Sequence, residues 1–159
     1  MKYERYKKMN KLNMLFLNEY TALEELLNVK YGVEGGGVEL YVQAMNTASE
    51  SKEKIGKWEE DYHTLSKCMH IASVLALHGN KLRKPQCTKQ DIAFLKKFAG
   101  RFEKQADSLA KLEKYEAAQA KFKEKIDKIK PAAKSVAIAC GVALAVNALL
   151  SGRKDKKDK

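Results

Sequence analysis

Apolar residues recur at steps of three and four along most of this chain, and no stretch alternates apolar with polar side chains for long enough to make a strand. That spacing gathers the apolar side chains of each segment on one helical face, so the pattern points to an all-α fold. It is clearest in Ile55, Trp58, Tyr62, Leu65, Met69, Ala72, Leu75 and Ala76. They predict a helix over roughly Glu50–His78, with Gly79 as the residue that closes it. Leu12, Leu15, Phe16, Ala22, Leu23, Leu26 and Leu27 predict another over about Tyr3–Lys30, which the Gly-rich stretch Tyr31–Gly37 must end. Val38, Tyr41, Val42 and Met45 mark a short helix between these two. Thr88 followed by Asp91 has the pattern of an N-terminal cap, and Ile92, Leu95, Phe98, Ala99, Phe102, Ala106 and Leu109 carry a fourth helix after it. Four amphipathic segments with short connections predict a four-helix bundle over residues 3–110.

Beyond the bundle the composition changes twice. In residues 111–130 the residues Leu112, Tyr115, Phe122, Ile126 and Ile129 keep helical spacing, but Ala118 and Gln119 thin the seam. A protruding charged helix or coiled-coil stalk is expected there. Pro131 then breaks the pattern. From Ala132 to Leu150 the apolar residues Val136, Ile138, Val142, Leu144, Val146, Leu149 and Leu150 surround the whole helix circumference, with small residues between them. Nineteen helical residues span about 28 Å, close to the hydrocarbon thickness of a bilayer. An apolar helix without a polar face must be covered by lipid or protein; the expectation adopted is a membrane anchor, and the alternative is a buried core or oligomer helix. Gly141 and Ala145 form a small-xxx-small pair compatible with close helix contact in a membrane. The tail 151–159, with Arg153, Lys154, Lys156, Lys157 and Lys159, supplies a basic stop. Lys-rich flanks on both sides leave membrane topology unread.

The formal charge is +11, and residues after 100 carry 15 Lys/Arg against 8 Asp/Glu. Such an excess attracts RNA or anionic lipid through salt-dependent forces, although the interleaved acids of residues 101–130 also suit a solvated helix surface. Lys81, Arg83 and Lys84 form a local basic patch and are the candidate nucleic-acid-binding residues. At the N-terminus the apolar run Met14–Leu17 is too short for a signal sequence, so no secretion is expected. Three cysteines, Cys68, Cys87 and Cys140, make a disulfide framework improbable and a reducing compartment the default; Cys87 is expected near the surface. His63, Cys68 and His70 lack the spacing and further ligand that a metal needs, so no metal or other cofactor is expected. Gly35, Gly36 and Gly37 precede a helix and could turn amides towards an anion, but no Walker lysine follows, and an ordinary loop is the simpler reading.

Leu65 to His78, with Ile71-Ala72-Ser73-Val74-Leu75-Ala76-Leu77-His78 at its end, and Thr88-Lys89-Gln90-Asp91-Ile92 after it resemble small helical proteins of Firmicutes related to the HEPN superfamily. Lys30-Tyr31-Gly32, Trp58 and Asp107-Ser108-Leu109-Ala110 fit the same pattern, and the resemblance covers about residues 10–112. It implies a HEPN-like bundle. In active members of that superfamily an Arg and a His four to six residues apart cleave RNA without a metal, the Arg stabilising the phosphate's charge and the His moving the proton. Only His78 matches, because Ala72 and Ser73 stand where Arg and Asn belong. His78 also suits a structural role at a helix C-terminus, where a partial positive charge meets the helix dipole.

The sequence thus points to a non-enzymatic helical interaction module with a protein partner or self-association, tethered by its tail to the cytoplasmic face of a membrane. The alternatives are a HEPN-like RNA-binding protein or ribonuclease using His78, and a soluble cytoplasmic protein.

Overall fold

Asn10 decides where the first helix starts, because its side chain accepts the free Leu12 N–H at 2.9 Å. The computed structural model describes residues 9–79 and 81–129, and every regular element among them is helical. The helices are α1 (Lys11–Tyr31), α2 (Gly37–Asn46), α3 (Trp58–His78), α4 (Lys89–Glu103) and α5 (Ser108–Ile129), with a 3-10 turn at Glu50–Lys54. The all-α class expected from the periodicity is therefore correct for these residues. The part of the expected first helix that precedes residue 9 lies outside them.

Helix α1 ends on a left-handed glycine, Gly32, with φ 64°. Its N–H donates to Val29 O and the Val33 N–H to Asn28 O, the paired bonds that use up two orphan carbonyls. Helix α2 then packs so closely on α1 that a Cβ on Gly37 would lie 2.6 Å from the Asn28 backbone nitrogen. Helix α3 is shorter than the periodicity suggested. Ile55-Gly56-Lys57 separates the 3-10 turn from Trp58, and Lys57 adopts φ 67°. Its buried face is Trp58, Asp61, Leu65, Cys68, Ile71, Ala72 and Leu75; Tyr62 and Met69 are half-buried and Ala76 is exposed.

The fourth helix also stops early. Expected to run to Leu109, it ends at Glu103, and Gln105 turns the chain with φ 52°. The Gln105 N–H donates to Phe102 O and the Ala106 N–H to Arg101 O, the same paired closure that Gly32 makes but with a glutamine in the glycine position. The break between the fourth and fifth helices falls at 104–107, and the first turns of α5 bury Ser108, Ala110 and Leu112.

Helix α1 packs against α2, α3 and α4, α3 packs against α2 and α4, and these contacts enclose one core. Phe16, Leu23, Leu27, Tyr41, Met45, Leu65, Leu95 and Phe98 are fully buried in it, with the Tyr41 ring edge-on to Phe98 at 5.3 Å. Three local features oppose this packing. Lys57 and Gln105 are the non-glycine residues with positive φ among those described, and each such residue costs about 1 kcal/mol or more. Gly100 lies inside α4, where glycine is about 1 kcal/mol worse than alanine; a Cβ there would meet nothing within 4 Å.

Two compact units divide the chain, Met1–Lys114 and Tyr115–Lys159. The described part of the second is the outer length of α5, with Tyr115, Gln119, Phe122 and Ile126 half-buried and most other side chains exposed. Lys128 pairs with Glu124 at 2.7 Å one turn away. The proposed membrane segment, Val136 to Leu150, and the basic tail lie outside the described residues. Among the described residues no helix is long and apolar enough to cross a membrane.

Candidate functional site

A wholly buried asparagine ties the loop between α3 and α4 to α1. Asn13, on α1, is 0% exposed. Its Nδ2 donates to Lys84 O at 3.2 Å, and its Oδ1 accepts the Gln86 N–H at 2.8 Å. Asn10 Nδ2 donates to Arg83 O, and the Cys87 thiol reaches Leu12 O at 3.5 Å. At the other end of the loop, His78 O accepts the N–H groups of Lys81 at 2.8 Å and Leu82 at 3.2 Å. The backbone between α3 and α4 is thus tied to α1 while the side chains of His78, Lys81, Arg83 and Lys84 are exposed. The candidate basic residues lie in this loop directly after His78, and none of the four forms an ion pair among the described residues. Cys87, expected near the surface, is buried at 5% exposure because that loop folds its thiol in towards Asn13.

His78 is the last residue of α3, the position at which a cationic imidazole meets the negative end of the helix dipole. Ala72, in the place where the HEPN pattern carries arginine, is buried, and the Ser73 hydroxyl donates to Met69 O at 3.1 Å. The predicted cap of α4 is present in full. Thr88 Oγ1 accepts the Asp91 N–H and the Asp91 carboxylate accepts the Thr88 N–H. Lys67 Nζ adds a 2.7 Å ion pair to Asp91. Burial works to raise the Asp91 carboxyl, but the bonds from Lys67 and Thr88 outweigh it and hold it below the usual carboxylate range.

Sequence periodicity missed the groups that bind the helices to one another. Asp61 is 1% exposed and receives both Arg101 Nη atoms, at 3.0 and 2.7 Å, and the Ser108 hydroxyl at 2.6 Å. The hydrogen-bonded carboxylate also holds the guanidinium charged, raising Arg101 above its ordinary value. Beside it the Tyr41 hydroxyl donates to Asp107 Oδ1 at 2.6 Å and accepts the Leu109 N–H. Asp107 also accepts the Ala110 N–H, capping α5. Arg101 and Asp61 lie 40 residues apart, and no spacing rule joins them. Asp107-Ser108 was visible only as part of the family resemblance.

The glycine loop has its anion already. Glu24 accepts the Gly36 N–H at 2.6 Å and the Val38 N–H at 3.0 Å, and Asn28 Oδ1 accepts the Gly37 N–H at 2.9 Å. The amides that a phosphate would need are satisfied from within α1. No group of three His, Cys, Asp or Glu side chains among the described residues is placed to hold a metal; His63 instead pairs with Glu59 at 3.4 Å on an exposed turn. Cys68 and Cys87 are free thiols, and burial pushes Cys68 up to about 12, away from thiolate chemistry. Cys140 lies outside the described residues.

The model of one protein family, described as a family of unknown function (DUF6548), matches residues 14–157. No curated protein and no solved structure matches the chain.

Proposed function

The chain belongs to DUF6548, and from that premise we propose that it is a non-enzymatic helical interaction module, tethered to the cytoplasmic face of a membrane by Ala132–Leu150, whose basic loop meets an anionic surface. One observation carries the reading: Asn13 and Asn10 fix the loop backbone through Arg83, Lys84 and Gln86 while leaving Lys81, Arg83 and Lys84 exposed. A loop fixed in this way loses less conformational entropy on binding than a flexible one. The family match extends across the apolar segment as well as the helices, which supports treating the tail as part of the same design. In this reading α1 to α4 form a four-helix bundle of HEPN-like kind, and Tyr115, Phe122 and Ile126 on α5 offer a thin stripe for a coiled-coil partner or a second copy.

Membrane fractionation tests the tether. The full chain is expected to sediment with membranes, to withstand high salt and alkaline carbonate, and to require detergent, because apolar burial in lipid is insensitive to ionic screening. Deleting residues 130–159 is expected to release it. Recovery of the intact chain as a detergent-free soluble monomer overturns the tether, and unchanged binding to anionic vesicles after Lys81→Gln, Arg83→Gln and Lys84→Gln overturns the role of the loop.

A second reading, an RNA-binding protein or ribonuclease, draws on the exposure of His78 beside that loop. RNA cleavage that His78→Ala abolishes would establish it in place of the first; salt-sensitive binding without cleavage would leave a binding module.

A further inference from the structure

An open cleft of about 640 Å³ lies between the start of α3 and the outer face of α4, lined by Lys57, Phe94, Lys97, Gly100, Arg101 and Lys104 among others. Its volume falls within the range of small-molecule sites. Three of its cations, Lys57, Lys97 and Lys104, are exposed and have no ion-pair partner among the described residues. The acids that share the wall do not cancel them. Asp61 is consumed by Arg101 and Ser108, which leaves Glu60 as the opposing charge. Arg101 is itself fixed, gripped by Asp61 and stacked over Phe98 at 5.2 Å. The Phe94 ring is half-buried and leans on Phe98 at 5.8 Å, so it offers an apolar wall that is already held in place.

Two further observations converge on this cleft. Gly100 is a helical glycine that no neighbour requires, since a Cβ would meet nothing within 4 Å, and it stands on the wall of the cleft. The two non-glycine residues of positive φ also stand at its rim. Lys57 lines it directly, and Gln105 sits between the lining residues Lys104 and Ala106. Unfavourable local choices gathered around one concavity are the pattern expected where binding, not stability, sets the residues.

We propose that this cleft binds a small phosphate monoester of a flat apolar alcohol, with the phosphate among Lys57, Lys97 and Lys104 and the apolar part against Phe94. A phosphate dianion answers several ammonium groups lining one cleft better than a single carboxylate does, and the aromatic wall supplies the apolar contact that a free inorganic ion cannot use.

The test uses 4-fluorophenyl phosphate with the full chain, binding being read as broadening of the fluorine resonance. Wild type is expected to broaden it. Lys57→Gln with Lys97→Gln is expected to weaken binding by about tenfold or more, the equivalent of one good charge-assisted contact. Gly100→Leu fills the cleft wall from open space and is expected to weaken it as much, while melting no lower than wild type. Gly100→Ala, a second variant that is safe for folding, is expected to melt higher and bind within about threefold of wild type. The triple change Lys81→Gln, Arg83→Gln, Lys84→Gln is expected to leave binding unaltered, which separates this cleft from the basic loop. No broadening by wild type at millimolar probe, undiminished binding by folded Gly100→Leu, or equal competition by inorganic phosphate overturns the proposal.

Discussion

Asp61 and Arg101 show how much of this fold rests on charges that apolar periodicity cannot reveal. Asp61 is nearly sealed from water while Arg101 is a quarter exposed, so removing the arginine leaves a buried carboxylate with only the Ser108 hydroxyl. Arg101→Met is expected to cost about 2–3 kcal/mol, measured by urea unfolding. Replacing Asp61 and Arg101 together by apolar residues should cost less than the sum of the single changes, because the stranded charge disappears. Cys68 gives a pH signature of the opposite kind. Burial is the main cause of its rise, the Asp91 carboxylate adds to it, and Lys67 works against it. The folded thiol is thus raised from 9.0 to about 12. Its contribution is complete below pH 9 and is lost as the pH climbs towards 12, at up to about 1.4 kcal/mol per pH unit. Cys68→Ala is expected to lower stability at neutral pH through the cavity it leaves, yet to flatten that part of the alkaline decline. Equal alkaline slopes in the two proteins would contradict this.

At the level of the elements, the closure of α4 puts a glutamine where glycine fits better. Gln105 occupies the left-handed position that Gly32 fills at the end of α1, so Gln105→Gly is expected to raise stability by about 1 kcal/mol, seen as a higher melting temperature. That site also explains where sequence reading succeeded and where it failed. The Thr88–Asp91 cap and the Gly-rich end of α1 were legible because each uses the residue types its geometry favours. The starts of α1 and α3 and the break before α5 were not. Apolar spacing continues through Ile55 and on to Leu109, while the chain turns at Lys57 and Gln105, residues that carry no turn signal. The loop candidates Lys81, Arg83 and Lys84 are exposed between α3 and α4. Asn13, which fixes them there, was invisible because it sits at a core position of α1 where an apolar residue is the rule.

For the whole molecule, the +11 charge makes any binding to an anionic surface a function of ionic strength, while the attachment proposed for Ala132–Leu150 is not. Flotation with anionic vesicles from low to high salt is expected to show both behaviours in the full chain, and only the salt-sensitive one after residues 130–159 are deleted. Helix α5 is continuous from Ser108 to Ile129, and its root is bonded across to other helices, Ser108 to Asp61 on α3 and the preceding Asp107 to Tyr41 on α2. A membrane-held C-terminus would therefore act as a tow line: traction runs down the α5 backbone to its root, where Leu112 is buried and those two hydrogen bonds hold it to other helices. In single-molecule pulling between residues 11 and 129, Ser108→Ala should lower the rupture force, whereas loss of the exposed Lys128–Glu124 pair should leave it unchanged, so that the bonds at the root of α5 set the load the fold can bear.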